Sequence, residues 1–267
     1  MYEPTELQCF VSCPYLWYLR YHKKIKPAAR SLPLISGTLG HHLLHYGIEF
    51  VDEIWPMILR DGPPVNATAE DLETAKDKVY SECERFLKYM DICSYEFVEK
   101  ELILTWTFYC GEKKPRPYYF SGTVDALVRG PKTPEGMVDV LDYKFGRKQS
   151  KYEIDRNLQF MAYFMGLKLK GYLVNEMFWV KMPDFLPYKR PPKGTDPEDL
   201  RGIGLYPIKI VEDDMPYIRE SISKVLAAMS TNTYYYSSYA IGGAQCPYCD
   251  YKNICPSLST GEELCHE

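Results

Sequence analysis

No run of about eighteen apolar residues occurs in this 267-residue chain, so no segment reads as a membrane-spanning helix. A basic-then-apolar leader is also missing, which makes a secretory signal unexpected and a cytoplasmic location the expectation. Positive charge is not in excess: the formal net charge is -4 and the sequence pI about 5.8. Indiscriminate adhesion to nucleic acid through bulk charge is thereby excluded, while a local basic groove is not. There is no G-x-x-x-x-G-K-[ST] loop, hence no nucleotide-hydrolysing motor, and no internal repeat. His41 and His45 stand four apart as in zinc-protease helices, but His42 follows the first histidine where that motif needs a glutamate base.

What is present can bury a full core, with 46% hydrophobic and 15% aromatic residues. The opening TELQCFVSCPYLWYLRYHKKIKP has Thr5 and Gln8 spaced as a capping box before a helix that Pro14 kinks or restarts. Cys9 and Cys13 are then expected on one helix face. Arg20, Lys23 and Lys24 interleave with Trp17, Tyr18 and Tyr21, a pattern that serves single-stranded nucleic acid as well as a solvated helix edge. Residues 36–60 read as one helix carrying His41, His42 and His45, and a charged helix is expected from about Glu70 to Met90.

The most informative stretch is GTVDALVRGPKTPEGMVDVLDYK, from Gly122 to Lys144. It reads as two short apolar strands that each carry an aspartate, Asp125 and Asp142. Alternation puts Lys144 on the same face as Asp142. A buried carboxylate must be paired or metal-bound. A plain Asp–Lys salt bridge across a hairpin meets that requirement, and so does a site for a divalent ion. Phosphodiester hydrolysis needs the second: Asp125 and Asp142 supply hard oxygen ligands, His41 adds a nitrogen that suits Mn²⁺ better than Mg²⁺, and Lys144 orients water or steadies transition-state charge. Downstream, a helix places Gln159 and Tyr163 four apart on one face. Strands NEMFWVKM and LYPIKIV follow, separated by a proline-rich insert, and then a helix from Met215 to about Ser230.

The nine cysteines are an odd count, and CPYCDYKNIC groups Cys246, Cys249 and Cys255 in one loop. Three thiolates so close point to zinc or an iron–sulfur cluster, either of which takes a fourth ligand. With no second C-x-x-C nearby, that ligand has to come from Cys13 or Cys9, which would tie the two ends of the chain together.

The order of these motifs resembles that of the PD-(D/E)XK nucleases of the RecB/AddB type that carry an iron–sulfur cluster, including small CRISPR-associated and phage exonucleases. T-x-L-x-x-F-x-x-CP-x-x-W-x-LRY lies at Thr5–Tyr21, G-x-x-x-H at Gly37–His41, G-x-x-D at Gly122–Asp125, D-x-K at Asp142–Lys144 and Q-x-x-x-Y at Gln159–Tyr163. The three-cysteine tail completes the series. Gly40 departs from the pattern, standing where such proteins commonly carry an apolar residue. The resemblance implies a mixed α/β core flanked by helices, with a helical cluster region joining residues 1–30 to residues 233–267. The nuclease core would span 31–232, with a helical insertion at about 62–93. It also implies a [4Fe–4S] cluster on Cys13, Cys246, Cys249 and Cys255, Mg²⁺ or Mn²⁺ on His41, Asp125, Asp142 and the Tyr143 carbonyl, and Gln159 and Tyr163 beside the nucleic-acid path. The expected activity is exonucleolytic cleavage of DNA, single-stranded or with free ends, in recombination, repair, phage replication or CRISPR adaptation, with protein partners in such a pathway. A catalytically weak DNA-binding subunit and a zinc-stapled interaction protein are the alternatives.

Overall fold

A computed structural model describes residues 1–27, 30–61, 64, 67–111, 115–145, 154–155, 157–184, 202–231, 249, 251 and 254–255. The elements run α1 (Pro4–Ser12), α2 (Pro14–Trp17), a π-helical turn at Tyr18–His22, α3 (Leu32–Tyr46), α4 (Val51–Asp61), α5 (Ala69–Ile92), β1 (Glu96–Cys110), β2 (Arg116–Arg129), β3 (Val138–Phe145), α6 (Leu158–Leu169), β4 (Val174–Asp184), β5 (Gly202–Ile208) and α7 (Met215–Met229). The proline-rich insert lies mostly outside the described residues, as do Tyr234, Tyr235, Tyr236, Tyr239 and Cys246. No helix among the described residues is long and apolar enough to cross a membrane.

Five strands form one mixed sheet in the order β1-β2-β3-β4-β5. Only β3 and β4 are parallel; the other neighbours are antiparallel. A parallel pair needs a crossover, and α6 supplies it. This helix is apolar on every side, with Leu158, Phe160, Met161, Phe164, Met165 and Leu167 all buried, as a helix packed on both flanks must be. It lies between the sheet and helices α1 and α7. One core layer joins α1, α6 and α7 to Val124, Val140 and Trp179; the opposite layer joins α3, α4 and α5 to Ala126, Leu141, Tyr143 and Val180. Strand alternation therefore sends neighbouring residues of β3 into different layers.

Local details differ from the sequence expectation for identifiable reasons. The first helix is capped two residues earlier than at Thr5, because Pro4 takes its first position and the Glu3 N–H donates to the Glu6 carboxylate at 3.2 Å. Cys13 does not share a helix face with Cys9: Pro14 restarts the helix, which leaves Cys13 extended at φ -160° between α1 and α2. The expected single histidine helix is two helices, α3 and α4, with a break at Gly47. The strand bearing Asp125 is not short; it spans 14 residues and pairs with a 15-residue β1 along nearly its whole length.

Gly122 explains how α1 and α6 reach the sheet together. A Cβ there would stand 2.7 Å from the Pro4 ring and 2.9 Å from the Tyr163 ring, closer than packed atoms allow. Gly122→Val should therefore lower unfolding stability by about 1–3 kcal/mol, read from urea denaturation. An unchanged midpoint would show that α1 and Tyr163 do not pack there.

Candidate active site

The site begins where the sheet comes apart. Strands β2 and β3 pair only from Ala126–Val128 to Asp139–Leu141, and beyond Ala126 and Leu141 they part. Asp125 and Asp142 are the next residues on each side of that opening. Asp125 bridges it: its Oδ2 accepts the Tyr143 N–H at 2.6 Å, replacing a ladder bond with a side-chain one. Its Oδ1 lies 3.3 Å from His41 Nδ1 on α3.

Asp142 faces Gln159 of α6 and is only 4% exposed. Lys144 forms an ion pair with its Oδ2. Gln159 Nε2 donates to Oδ1 at 3.2 Å. The ammonium of Lys144 sits 5.5 Å from the Trp179 ring centroid and 6.0 Å from that of Phe160, in cation–π range. Lys181, in register with Lys144 on β4, is turned to the backbone and donates to the carbonyls of Met182 and Pro183.

Electrostatics follow from burial and charge. Burial pushes Asp142 up to about 6 against the pull of Lys144, with Asp125 adding repulsion. Burial acts on Asp125 in the same direction, but His41, Lys144 and the Tyr143 N–H outweigh it and hold the carboxyl below its usual range. For His41, burial opposes protonation and Asp125 more than compensates, so the imidazole stays above its ordinary value. Tyr163 is raised by burial and by the two nearby carboxylates, and its hydroxyl bonds to Gln159. A narrow void beside the aspartates is lined by Val124, Val140, Phe160, Tyr163 and Met177.

The sequence-derived residues thus divide. His41, Asp125, Asp142, Tyr143, Lys144, Gln159 and Tyr163 come together from α3, β2, β3 and α6. His45 faces Glu101 on β1, Nε2 to carboxylate 3.7 Å, and His42 stacks on Tyr46. Arg20 on the π-helical turn and Lys23 just after it are exposed, each over a tyrosine ring, at 5.4 Å, and Lys24 follows with φ 53°. The charge of Arg20 acts on Cys9.

At the chain ends, Cys249 lies within electrostatic reach of Cys9, as does Cys13. Burial pushes the Cys9 thiol up to about 12, which disfavours the thiolate a metal needs. Cys13 Sγ instead accepts the Leu16 N–H at 3.4 Å. The Tyr251 hydroxyl donates to the Ile25 carbonyl at 2.8 Å and so fastens the cysteine loop to the N-terminal segment. Cys255 is described and half-buried, whereas Cys246 lies outside the described residues.

Several positioning residues were not foreseen. Asn157 caps α6 by accepting the Gln159 N–H at 2.9 Å, and Gln8 of α1 accepts the Leu158 N–H, also at 2.9 Å. Asn before an apolar run is a readable cap signal; a bond across 150 residues is not. Gly40 also acquires a reason: a Cβ there would lie 2.2–2.5 Å from the Phe145 ring, which packs edge-on to His41 at 5.8 Å. Glycine takes the place of an apolar residue because Phe145 fills that space from β3. Buried Glu6 accepts from Trp17 Nε1 at 2.9 Å and locks α1 to α2.

Among the described residues, no three His, Cys, Asp or Glu side chains stand with their ligating atoms around a common point. His41 and Lys144 are folded onto the two carboxylates in the positions a cation would compete for. The donor set nonetheless fits a divalent ion: two carboxylates and an imidazole meet at one opening, and one carboxyl is held at about 6 by burial for want of positive charge.

The sequence profile of the PD-(D/E)XK nuclease superfamily matches residues 4–256. No curated protein sequence matches the chain significantly. Among solved structures, a candidate exonuclease from Eubacterium rectale superposes with a TM-score of 0.51 at 10% identity, covering 99% of this chain and 89% of that one. This likeness is one of fold. The crystal structure of SSO0001 gives a TM-score of 0.40 at 13% identity over 96% and 97% of the two chains, too slight to carry a conclusion.

The Asp142 carboxyl has a measurable consequence for stability. In metal-free protein it is protonated in both folded and unfolded states well below the ordinary aspartate value of 3.8, and ionised in both well above 6. Between those limits the folded state holds the proton more tightly, so this residue's contribution falls as pH rises through the window. Asp142→Asn should therefore gain stability relative to the parent as pH is raised from about 4 to about 7 in chelator, by urea unfolding. A pH-independent difference would contradict the burial-raised carboxyl.

Proposed function

The chain belongs to the PD-(D/E)XK nuclease superfamily, and on that premise we propose that it is a divalent-metal-dependent deoxyribonuclease acting on single strands or free ends of DNA. The observation that carries this reading is the pair of carboxylates at the parting of β2 and β3, with Lys144 on one and His41 on the other. His41, Asp125, Asp142 and the Tyr143 carbonyl would hold the ion. Mg²⁺ or Mn²⁺ bound there supplies Lewis-acid polarisation of the phosphodiester and lowers the pKa of water. Lys144, released from Asp142, orients the attacking water and offsets charge on the phosphate oxygens in the transition state. Gln159 fixes the Asp142 carboxylate through Oδ1, and Tyr163 backs Gln159. Phe145 holds the imidazole of His41 from the side.

At the chain ends the reading includes a structural [4Fe–4S] cluster on Cys13, Cys246, Cys249 and Cys255, of the RecB/AddB kind. Support comes from the proximity of Cys249 to Cys9 on α1 and from the place of Cys13 at the α1–α2 junction, where its Sγ accepts the Leu16 N–H. Arg20, Lys23 and Lys24 lie on the turn beside that junction and would guide the strand past the cluster.

Cleavage of end-labelled single- and double-stranded DNA by anaerobically purified protein tests the activity. Asp125→Ala, Asp142→Ala and His41→Ala should each abolish cleavage, and Lys144→Ala should reduce it by about 10²–10³-fold or more, while DNA binding is largely retained. Full turnover by Lys144→Ala would remove its assignment. Mn²⁺ should support activity equal to or above that with Mg²⁺, whereas Ca²⁺ should support binding without turnover. Activity in Mg²⁺ with none in Mn²⁺ would count against His41 as a ligand. Cys→Ser at Cys13, Cys246, Cys249 or Cys255 should yield colourless, less stable protein that loses binding and cutting together, and Cys9→Ser should stay brown. Full iron content without Cys13 would break the ligand set.

A further inference from the structure

Strands β3 and β4 run in parallel with Val140 beside Met177, Asp142 beside Trp179 and Lys144 beside Lys181. Alternation puts these side chains on one face. Two lysines side by side repel each other, and these two part. Lys181 turns to the carbonyls of Met182 and Pro183, at 3.2 and 2.9 Å, while Lys144 reaches Asp142. There the Lys144 ammonium lies over two rings, Trp179 at 5.5 Å and Phe160 at 6.0 Å. The rings brace each other edge-on, with centroids 5.9 Å apart and planes at 66°. Both are buried, 2% and 0% exposed, so the core and not the lysine sets their places.

Packing alone does not call for an indole here. Trp179 Nε1 has no acceptor among the described residues, and a buried donor left so is a cost that phenylalanine or leucine would not carry. What the indole adds is the aromatic face that attracts a cation most strongly, and Lys144 is the cation it meets. Lys144 also needs two positions. On the nuclease reading above, Asp142 has to release Lys144 before it can hold a metal ion, and the ammonium then serves a phosphate. A further carboxylate at this place would trap the lysine. A ring face attracts the charge broadly, without a bond of fixed direction, and so keeps the ammonium at the opening in either position. Phe160 adjoins Gln159, which donates to Asp142 Oδ1. The first turn of α6 therefore steadies both members of the ion pair.

We infer that Trp179 is a positioning residue for Lys144: its ring, braced by Phe160, holds the ammonium at the parting of β2 and β3 once Asp142 releases it. The inference rests on the nuclease reading and adds to it the group that keeps Lys144 in place.

The test has two arms, both on full-length protein. In chelator, urea unfolding of the parent, Trp179→Leu, Lys144→Met and the double variant measures the coupling between the two side chains without any metal. The unfolding equilibrium constant of the double variant should lie about fivefold below the product of the two single effects. In Mn²⁺, Trp179→Leu should lower kcat on a single-stranded oligodeoxynucleotide by about tenfold with KM unchanged, and Trp179→Phe, which keeps a ring face, should recover most of it. In the Lys144→Ala background the same leucine should cost nothing further. If Trp179→Leu does not fold, Trp179→Met takes its place in both arms. Independent effects in the unfolding cycle would overturn the inference. So would a loss of kcat just as large without Lys144, which marks a tryptophan that serves packing alone. A parent that cuts no DNA refutes the nuclease reading, and the unfolding cycle then still decides whether Trp179 holds Lys144.

Discussion

Two carboxylates placed out of water on adjacent strands repel each other, and the arrangement around them exists to make that tolerable. The sheet parts at Asp125 and Asp142, where the first carboxylate is held from α3 by His41 and the second from α6 by Gln159. Each then meets a cation supplied by its own layer, His41 for the first and Lys144 for the second. Neither cation is enough by itself to satisfy Asp142, which burial still holds at about 6. A site short of positive charge at a break in a sheet is where we propose the divalent ion. The same shortage explains why α6 must be capped and anchored with care: Asn157 and Gln8 fix its first turn, and that turn presents Gln159 to the carboxylate.

Much of this was legible in the residues because each signal had a physical cause. The D-x-K pair reads directly from strand alternation, and the Lys144–Asp142 contact follows from it. Gln159 and Tyr163 share a helix face as their spacing requires, and the helix from Met215 ends at Met229, within a residue of expectation. What escaped depends on distant chain. Nothing local tells that Gly40 answers to Phe145, that Gly122 answers to Pro4 and Tyr163, or that Gln8 completes a helix far along the sequence. The split of the histidine helix was missed because a glycine inside a helical pattern does not by itself announce the φ of 123° with which Gly47 ends α3. The length of β2 was missed because its outer half alternates Thr, Ser and Tyr with buried residues, a pattern weaker than the apolar run beside Asp125.

The ends of the chain repeat the theme of remote parts held by few contacts. Pro14 breaks the first helix and leaves Cys13 at the junction, Glu6 ties that junction to Trp17, and Tyr251 reaches back to Ile25. These bonds set Tyr251 against the segment after the π-helical turn, and Cys249 lies within electrostatic reach of Cys9 on α1, the helix that also packs α6. A cluster at that place would brace the helix layer behind Asp142, which links structural integrity at the termini to order at the opening.

The claim that His41, Asp125 and Asp142 form one divalent-ion site is tested most directly by titrating metal-free protein with Mn²⁺ and recording pulsed electron paramagnetic resonance of the bound ion. The account predicts a saturable site with nitrogen coupling from imidazole, the coupling disappearing in His41→Ala and the site itself in Asp142→Ala. A bound ion that shows no nitrogen coupling, or binding that survives both substitutions unchanged, would contradict it.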